Sequence, residues 1–150
     1  MSFFRNRSAA TAIGGLVGIA VLSLFAHFAR WPGFFLQGQG RVYWQNSMTL
    51  VFGILWVLLS LHHNIARRWV PLLAYSLSAV WLSCLAALLA SEYLSIGDLH
   101  RAFIPWKREP RWMFIDIGFG PIITGAWAYA VAAIVGAKCL LWLRGIARPT

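Results

Sequence analysis

The chain carries no charged residue from Ile117 to Ala137, a stretch bounded by Asp116 and Lys138. At the rise of an α-helix this stretch is about 30 Å long, which matches the hydrocarbon core of a bilayer. Three more uncharged stretches of similar length precede it, at residues 9–29, 43–63 and 70–91. The pattern predicts an all-α integral membrane protein with four transmembrane helices in an up-down-up-down bundle.

Composition agrees with a membrane location. Hydrophobic residues make up 60% of the 150 residues, and charged residues make up 11%. Soluble domains carry about 25% charged residues, so this chain has too few to cover a globule of its size. We therefore expect a single polytopic membrane domain over residues 1–150, with helices at about 9–29, 43–63, 70–91 and 115–143 and a polar loop at 94–112.

The formal net charge is +9, and the basic residues cluster at the ends of the uncharged segments. In that position they meet anionic lipid head groups, at about 1 kcal/mol each, so the expected partner is the bilayer and not a nucleic acid. With the N-terminus inside, the bases divide evenly between the two sides, and Lys138 near the inner end tips the balance. The positive-inside rule then favours a cell inner (cytoplasmic) membrane protein with both termini in the cytoplasm.

Small residues recur every fourth position in three of the segments, which places them along one stripe of each helix. Helices in lipid associate by close backbone approach, so such stripes predict contact. The second segment has only Gly53 and is otherwise bulky, so we expect the first, third and fourth helices to pack closely. The residues expected to mediate this packing are Gly14, Gly18, Ser83, Ala87, Ala132 and Gly136. The alternative is that glycine and alanine are simply common in membrane helices.

A helix break is predicted near the start of the fourth segment. Pro121 removes one backbone hydrogen bond, and Gly118 and Gly120 loosen the turn beside it. We expect a regular helix only after Pro121, with Asp116–Gly120 as irregular backbone.

Histidines are candidate cofactor ligands, because haem in membrane bundles is held by histidines of neighbouring helices. In the alternating topology His27 lies on the outer side, whereas His62 and His63 lie on the inner side. His27 and His100 are therefore the weak candidates for a haem or quinone site. The alternative is that all four are polar residues of the interface. We predict no resident cofactor and no metal site.

Two basic clusters are candidates for binding lipid head groups or a partner protein, and the inner one could also bind a phosphate or the acidic loop of a partner. One ends the second segment, and the other lies in and beside the polar loop. The candidate residues are His62, His63, Arg67, Arg68, Arg101, Lys107, Arg108 and Arg111. The alternative for the inner cluster is ordinary anchoring of a hairpin at the membrane surface.

Asp116 is the only acid close to a predicted membrane core, where acids are candidates for proton or cation sites. It also stands where a carboxylate could cap a helix start.

Trp56, Trp81 and Trp127 lie near the middle of predicted helices. They could line an apolar cavity, or fill the core with each indole N–H bonded to a serine or threonine of another helix.

The sequence contains no phosphate-binding loop, no Cys-x-x-Cys pair and no nucleophile near a base, so we do not expect an enzyme. We expect a non-catalytic accessory, anchoring or interaction component: a membrane-complex subunit, or an immunity- or exclusion-type factor. It would bind a membrane-protein partner or itself. Two alternatives stay open, a haem- or quinone-binding subunit and an oligomeric pore or small transporter.

Overall fold

The computed structural model describes residues 7–29, 31, 38–62, 65, 68–97 and 110–145. Within these ranges the chain forms only helices and short turns, which confirms the all-helical class. The helices are α1 (Arg7–Ala29), α2 (Gly38–Leu61), α3 (Trp69–Ile96), α4 (Pro110–Ile123) and α5 (Trp127–Leu143).

Three of these helices have the length and composition of membrane-spanning segments. They are Arg7–Ala29, Gln39–Leu61 and Trp69–Leu94. The helix α5 is apolar but has only 17 residues, which is about 25 Å at helical rise. Length and composition therefore support a membrane-embedded bundle with three long helices and a shorter fourth one.

The predicted loop at 94–112 is shorter than expected, because both of its ends are helical. The helix α3 continues to Ile96 and ends at Gly97, whose φ of 75° is left-handed and whose N–H donates to the carbonyl oxygen of Tyr93 at 2.7 Å. Glycine takes this conformation at little cost, so it ends the helix. The helix α4 already begins at Pro110, where a missing N–H costs no hydrogen bond.

The predicted break in the fourth segment is displaced. Asp116–Gly120 is regular helix, and α4 passes through Pro121 to end at Ile123. The chain turns at residues 124–126, where Gly125 has a φ of 75°. The N–H and the hydroxyl of Thr124 both donate to the carbonyl oxygen of Gly120, at 2.8 and 2.7 Å. The left-handed glycine, and not the proline, decides where the helix ends.

Contacts between helices show that neighbours run antiparallel. Gly14 of α1 faces Gly136 of α5, whereas Gly18 faces Ala132, so the numbering rises on one helix as it falls on the other. In the same way, Trp56 of α2 reaches Thr11 at the start of α1. The start of α1, the end of α2, the start of α3 and the end of α5 thus share one end of the bundle. We call it the basic end, after Arg7, Arg68, Lys138 and Arg144.

The core is built around a stripe of large side chains on α2. Trp44, Met48, Phe52 and Trp56 recur every fourth position and are fully buried. They pack with residues of α3 and α5, including Tyr129. The helix α2, which the sequence left out of the expected close packing because it is bulky, is thus the helix that fills the interior.

The close contact expected among the first, third and fourth helices forms only in part. The helix α1 packs along α5 and against α2, and α3 packs chiefly along α2. Over the described residues, α1 and α3 lie diagonally across the bundle and make at most marginal contact. The physical reason is the large stripe of α2, which holds the two helices apart.

Candidate functional site

The backbones of α1 and α5 touch along a line of glycine and alanine. A Cβ atom placed on Gly14 would lie 2.6 Å from the carbonyl oxygen of Gly136 and 2.8 Å from the Cα atom of Ala137. One placed on Gly18 would strike the carbonyl oxygen of Ala132. Because the obstacles are backbone atoms, they cannot rotate away. Only glycine allows this separation.

A partly buried layer of polar side chains ties α1, α2 and α5 together. The Thr49 hydroxyl donates to the carbonyl oxygen of Gln45 at 2.8 Å. Thr49 Oγ1 also lies within hydrogen-bond distance of the hydroxyl oxygens of Ser23, at 2.6 Å, and Tyr129, at 3.3 Å. The Tyr129 hydroxyl in turn donates to the carbonyl oxygen of Gln45 at 3.4 Å. The side-chain amide of Gln45 donates to the carbonyl oxygen of Ala26 at 3.4 Å. In a dry bundle such bonds fix the positions of the helices, because each unmade bond would leave a polar atom unpaired.

A groove of about 680 Å³ runs over the outer face of the α1–α5 contact. Its floor consists of small residues, and its walls are exposed valines, leucines and a phenylalanine. The floor residues are Gly14, Gly18, Ala128, Ala132 and Gly136. The main wall residues are Val17, Val21, Phe25, Val131, Val135 and Leu143. On α5 the groove extends from Trp127 to Leu143, which is about 24 Å at helical rise.

Two tryptophans close the end of the groove away from the basic end. The rings of Trp31 and Trp127 meet edge to face, with centroids 5.9 Å apart. Tryptophan prefers the boundary between lipid and water, so this pair marks the depth at which the apolar groove ends. Trp127 was expected in mid-helix, but it is the first residue of α5.

The other two tryptophans singled out in the sequence lie within the bundle. Trp56 is fully buried, and its indole N–H donates to the backbone carbonyl oxygen of Thr11 at 3.3 Å. Its hydrogen-bond partner is thus a threonine of another helix, as in the second alternative, through the main-chain carbonyl group. Trp81 is half-buried.

A second cavity, of about 970 Å³, opens at the basic end between α1, α2 and α3. Its polar lining comes from Arg7, His62, Arg68 and Tyr75, and its apolar lining from Leu59, Ile65 and Pro71. Two residues of the predicted inner basic cluster, His62 and Arg68, therefore meet here with a residue of α1. The other two, His63 and Arg67, lie outside the described residues.

The remaining candidates do not form a shared site in the described part of the chain. His27 is exposed near the end of α1, edge to face with Phe28. It lies at the opposite end of the bundle from His62. Arg111 is exposed in the first turn of α4, and Asp116 lies in α4 with its side chain outside the described part. His100, Arg101, Lys107 and Arg108 lie outside the described residues.

Neither a metal site nor a disulfide is formed by the described residues. No three histidine, cysteine, aspartate or glutamate side chains of the described ranges come close enough together to bind a metal ion. Cys84 is buried, with its Sγ atom 3.6 Å from the hydroxyl oxygen of Thr124, whereas Cys139 is exposed. On α3, Ala87 is fully buried, and the buried hydroxyl of Ser83 has no hydrogen-bond partner among the described residues.

Several residues of both cavities were not singled out in the sequence. The groove walls Val17, Val21 and Phe25 repeat every fourth position beside the glycine stripe of α1, so their spacing was a usable signal. In the sequence, Arg7 is one of several basic residues at the ends of the uncharged segments, and nothing distinguishes it from the others. Tyr75 gave no signal, since only the folded bundle brings it to the same cavity as Arg7.

Comparison of the chain with protein-family models, with curated proteins and with solved structures finds no match in any of the three.

Proposed function

We propose that this chain is a non-catalytic accessory or anchoring component of a membrane complex, and that it holds one transmembrane helix of a partner protein in the α1–α5 groove. In this proposal the bundle crosses the cell inner membrane four times, with α4 and α5 together making the fourth crossing. The termini and the basic end lie in the cytoplasm, because Lys138 tips an otherwise even distribution of basic residues toward that end.

The observation that carries the proposal is the shape of the groove. Lipid tails are as apolar as leucine, so exposed apolar side chains alone do not indicate a partner in a membrane. A long concave surface with a floor of glycine and alanine is different, because it lets a third helix come close to two backbones at once. Helix pairs in membranes are built on such small-residue surfaces.

The dimensions and chemistry of the groove also favour a helix. Its length of about 24 Å along α5 corresponds to most of a membrane crossing. Its lining is almost wholly apolar, so the partner segment needs no charge in its middle. The walls are mostly branched aliphatic side chains, which have few rotamers to lose when they pack against another helix.

The proposal is tested by site-specific photocrosslinking in native membranes. A photoreactive phenylalanine analogue at Val135, on the groove wall, should give one discrete crosslinked product with a different protein. The same analogue at Leu82, which is exposed on α3 and outside the groove, should give none. Crosslinks at both positions, or at neither, would contradict a partner helix in the groove. A product of twice the chain mass would assign the groove to a second copy of this chain.

A second variant tests whether the groove itself is needed. Val131→Trp places a bulky ring over the floor from an exposed wall position, so it should displace the partner without disturbing the α1–α5 contact. Leu82→Trp is the matched control on α3. The crosslink from Val135 should disappear in the first variant and persist in the second, and the purified chains should unfold at the same temperature.

A further inference from the structure

Two arginines and a histidine line the cavity at the basic end from three sides, and no described carboxylate lines it. Arg7 comes from the start of α1, His62 follows the end of α2, and Arg68 precedes α3. All four acids of the chain lie between Glu92 and Asp116 in the sequence. Glu92 belongs to the opposite end of α3, about 35 Å along the helix from Trp69. Among the described residues, a ligand in this cavity would therefore meet two arginines and no competing acid.

The start of α3 adds a partial positive charge to the same place. Arg68 is the N-cap residue, its side chain makes no capping hydrogen bond, and the first turn of α3 contains no acid. Neither the side chain of Arg68 nor an acid of the first turn therefore accepts from the first N–H groups of the helix. Such a helix end attracts anions through its dipole and its N–H groups.

Arg7 supplies an independent observation. Its Nε atom is buried and has no hydrogen-bond partner among the described residues. A buried guanidinium N–H without an acceptor is costly, because the group has lost its water and gained nothing. Arg7 as a whole is only half-buried and lines the cavity, where its guanidinium group can meet an oxygen of an anionic ligand. Arginine is also the side chain best suited to phosphate, since its donors are arranged as a rigid fork.

We propose that this cavity is a binding site for a phosphate ester, bound by Arg7 and Arg68, with His62 and the Tyr75 hydroxyl as further donors. The apolar residues Leu59, Ile65 and Pro71 form the rest of the lining. They would cover the glycerol and the first acyl carbons of an anionic phospholipid, so the phosphate of a lipid head group fits the whole cavity. This site is separate from the α1–α5 groove and does not depend on the partner proposed there.

The test measures binding to the full chain in a mild zwitterionic detergent. Dioleoylphosphatidylglycerol, dioleoylphosphatidylcholine and inorganic phosphate are titrated separately, and bound ligand is counted by native mass spectrometry. Phosphatidylglycerol should bind at one saturable site and phosphatidylcholine much more weakly. Arg7→Gln and Arg68→Gln should each weaken phosphatidylglycerol binding about tenfold, since each removes a charge-assisted contact.

Arg144→Gln is the matched control, because it removes the same charge at the same end of the bundle but outside the cavity. It should leave phosphatidylglycerol binding within about twofold of the parent chain. Arg68→Gln should not impair folding, because the side chain that it removes is exposed and makes no capping hydrogen bond. Its binding can therefore be measured even if Arg7→Gln fails to fold.

The outcomes separate the sources of the phosphate. Saturable binding of inorganic phosphate that is lost in the same two variants, without preferential lipid binding, would assign the site to a soluble phosphate ester and support the anion site. Equal binding of the two lipids together with no phosphate binding would overturn the proposal. So would equal losses in Arg68→Gln and Arg144→Gln, because a general surface charge would then explain the binding.

Discussion

The carbonyl oxygen of Gly136 lies 2.6 Å from the point where a Cβ atom on Gly14 would stand. No carbon side chain fits at that distance, and neither backbone can yield without separating α1 from α5. The groove exists because of this contact, since its floor is the line along which the two backbones meet. The close contact between α1 and α5 can therefore be tested by substituting Gly14.

Gly14→Ala should destabilise the bundle by about 1–3 kcal/mol, because it overpacks a contact between two backbones. Gly118→Ala is the matched control: Gly118 is exposed in α4, and a Cβ there meets nothing within 4 Å. That change should be neutral or stabilising by up to about 1 kcal/mol, through the better helix propensity of alanine. Thermal unfolding in one detergent measures both. Equal shifts in the two variants would contradict the close contact of α1 and α5.

The Thr49 hydroxyl is the shared partner of Ser23 on α1 and Tyr129 on α5. Thr49→Val keeps the shape of the side chain and removes these bonds, so it should cost about 0.6–1.7 kcal/mol, the range for hydrogen bonds between membrane helices. Ser78→Ala is the control, because that exposed hydroxyl bonds only within its own helix, to the carbonyl oxygen of Ala74. It should have almost no effect.

A double-mutant cycle distinguishes a direct bond from a general loss of polarity. Thr49→Val and Tyr129→Phe should couple by about 0.5 kcal/mol or more, since each removes the partner of the other. Ser78→Ala and Tyr129→Phe should be additive. Additivity in the first pair would mean that the two hydroxyls do not interact.

Trp56 is fully buried, and its indole lies against Gly15 and the carbonyl oxygen of Thr11. Trp56→Phe should destabilise the bundle by about 1–3 kcal/mol, because it leaves a cavity and removes the bond to α1. Trp142→Phe is the control at a largely exposed position, where the same change should cost less than about 0.5 kcal/mol. Similar costs at both positions would argue against a core centred on α2.

The sequence determines the class of the fold because membrane helices must be long and uncharged. The long apolar helices α1, α2 and α3 lie where the charge-free stretches predicted them, with ends shifted by a few residues. Helix partners are harder to predict. A small-residue stripe indicates that a helix can approach another helix closely, but it does not indicate which helix that will be. The stripe of α1 meets α5. That of α3 does not meet α1, since Trp44, Met48, Phe52 and Trp56 lie in the space between.

The cavity at the basic end could likewise be predicted only in part from the sequence. Its polar residues are numbered 7, 62, 68 and 75. His62 and Arg68 were recognisable as a cluster because they are neighbours in the sequence. Arg7 and Tyr75 join them only when α1 packs against α2 and α2 turns into α3. A site formed by three helix ends becomes visible only once the packing of those helices is known.

Gly125 decides where the fourth segment turns, so its replacement should change the path of the chain. Alanine in the left-handed region costs about 1–2 kcal/mol; Gly125→Ala should therefore favour a continuous helix from α4 into α5. Spin labels at the exposed positions 118 and 135, in a cysteine-free background, report this by electron–electron resonance. The label distance should move toward about 26 Å, the value for an unbroken helix. Pro121→Ala should leave the distance unchanged, because α4 already passes through residue 121 as a helix. If the label distance changes in Pro121→Ala and not in Gly125→Ala, then the proline, and not the glycine, causes the break in the helix.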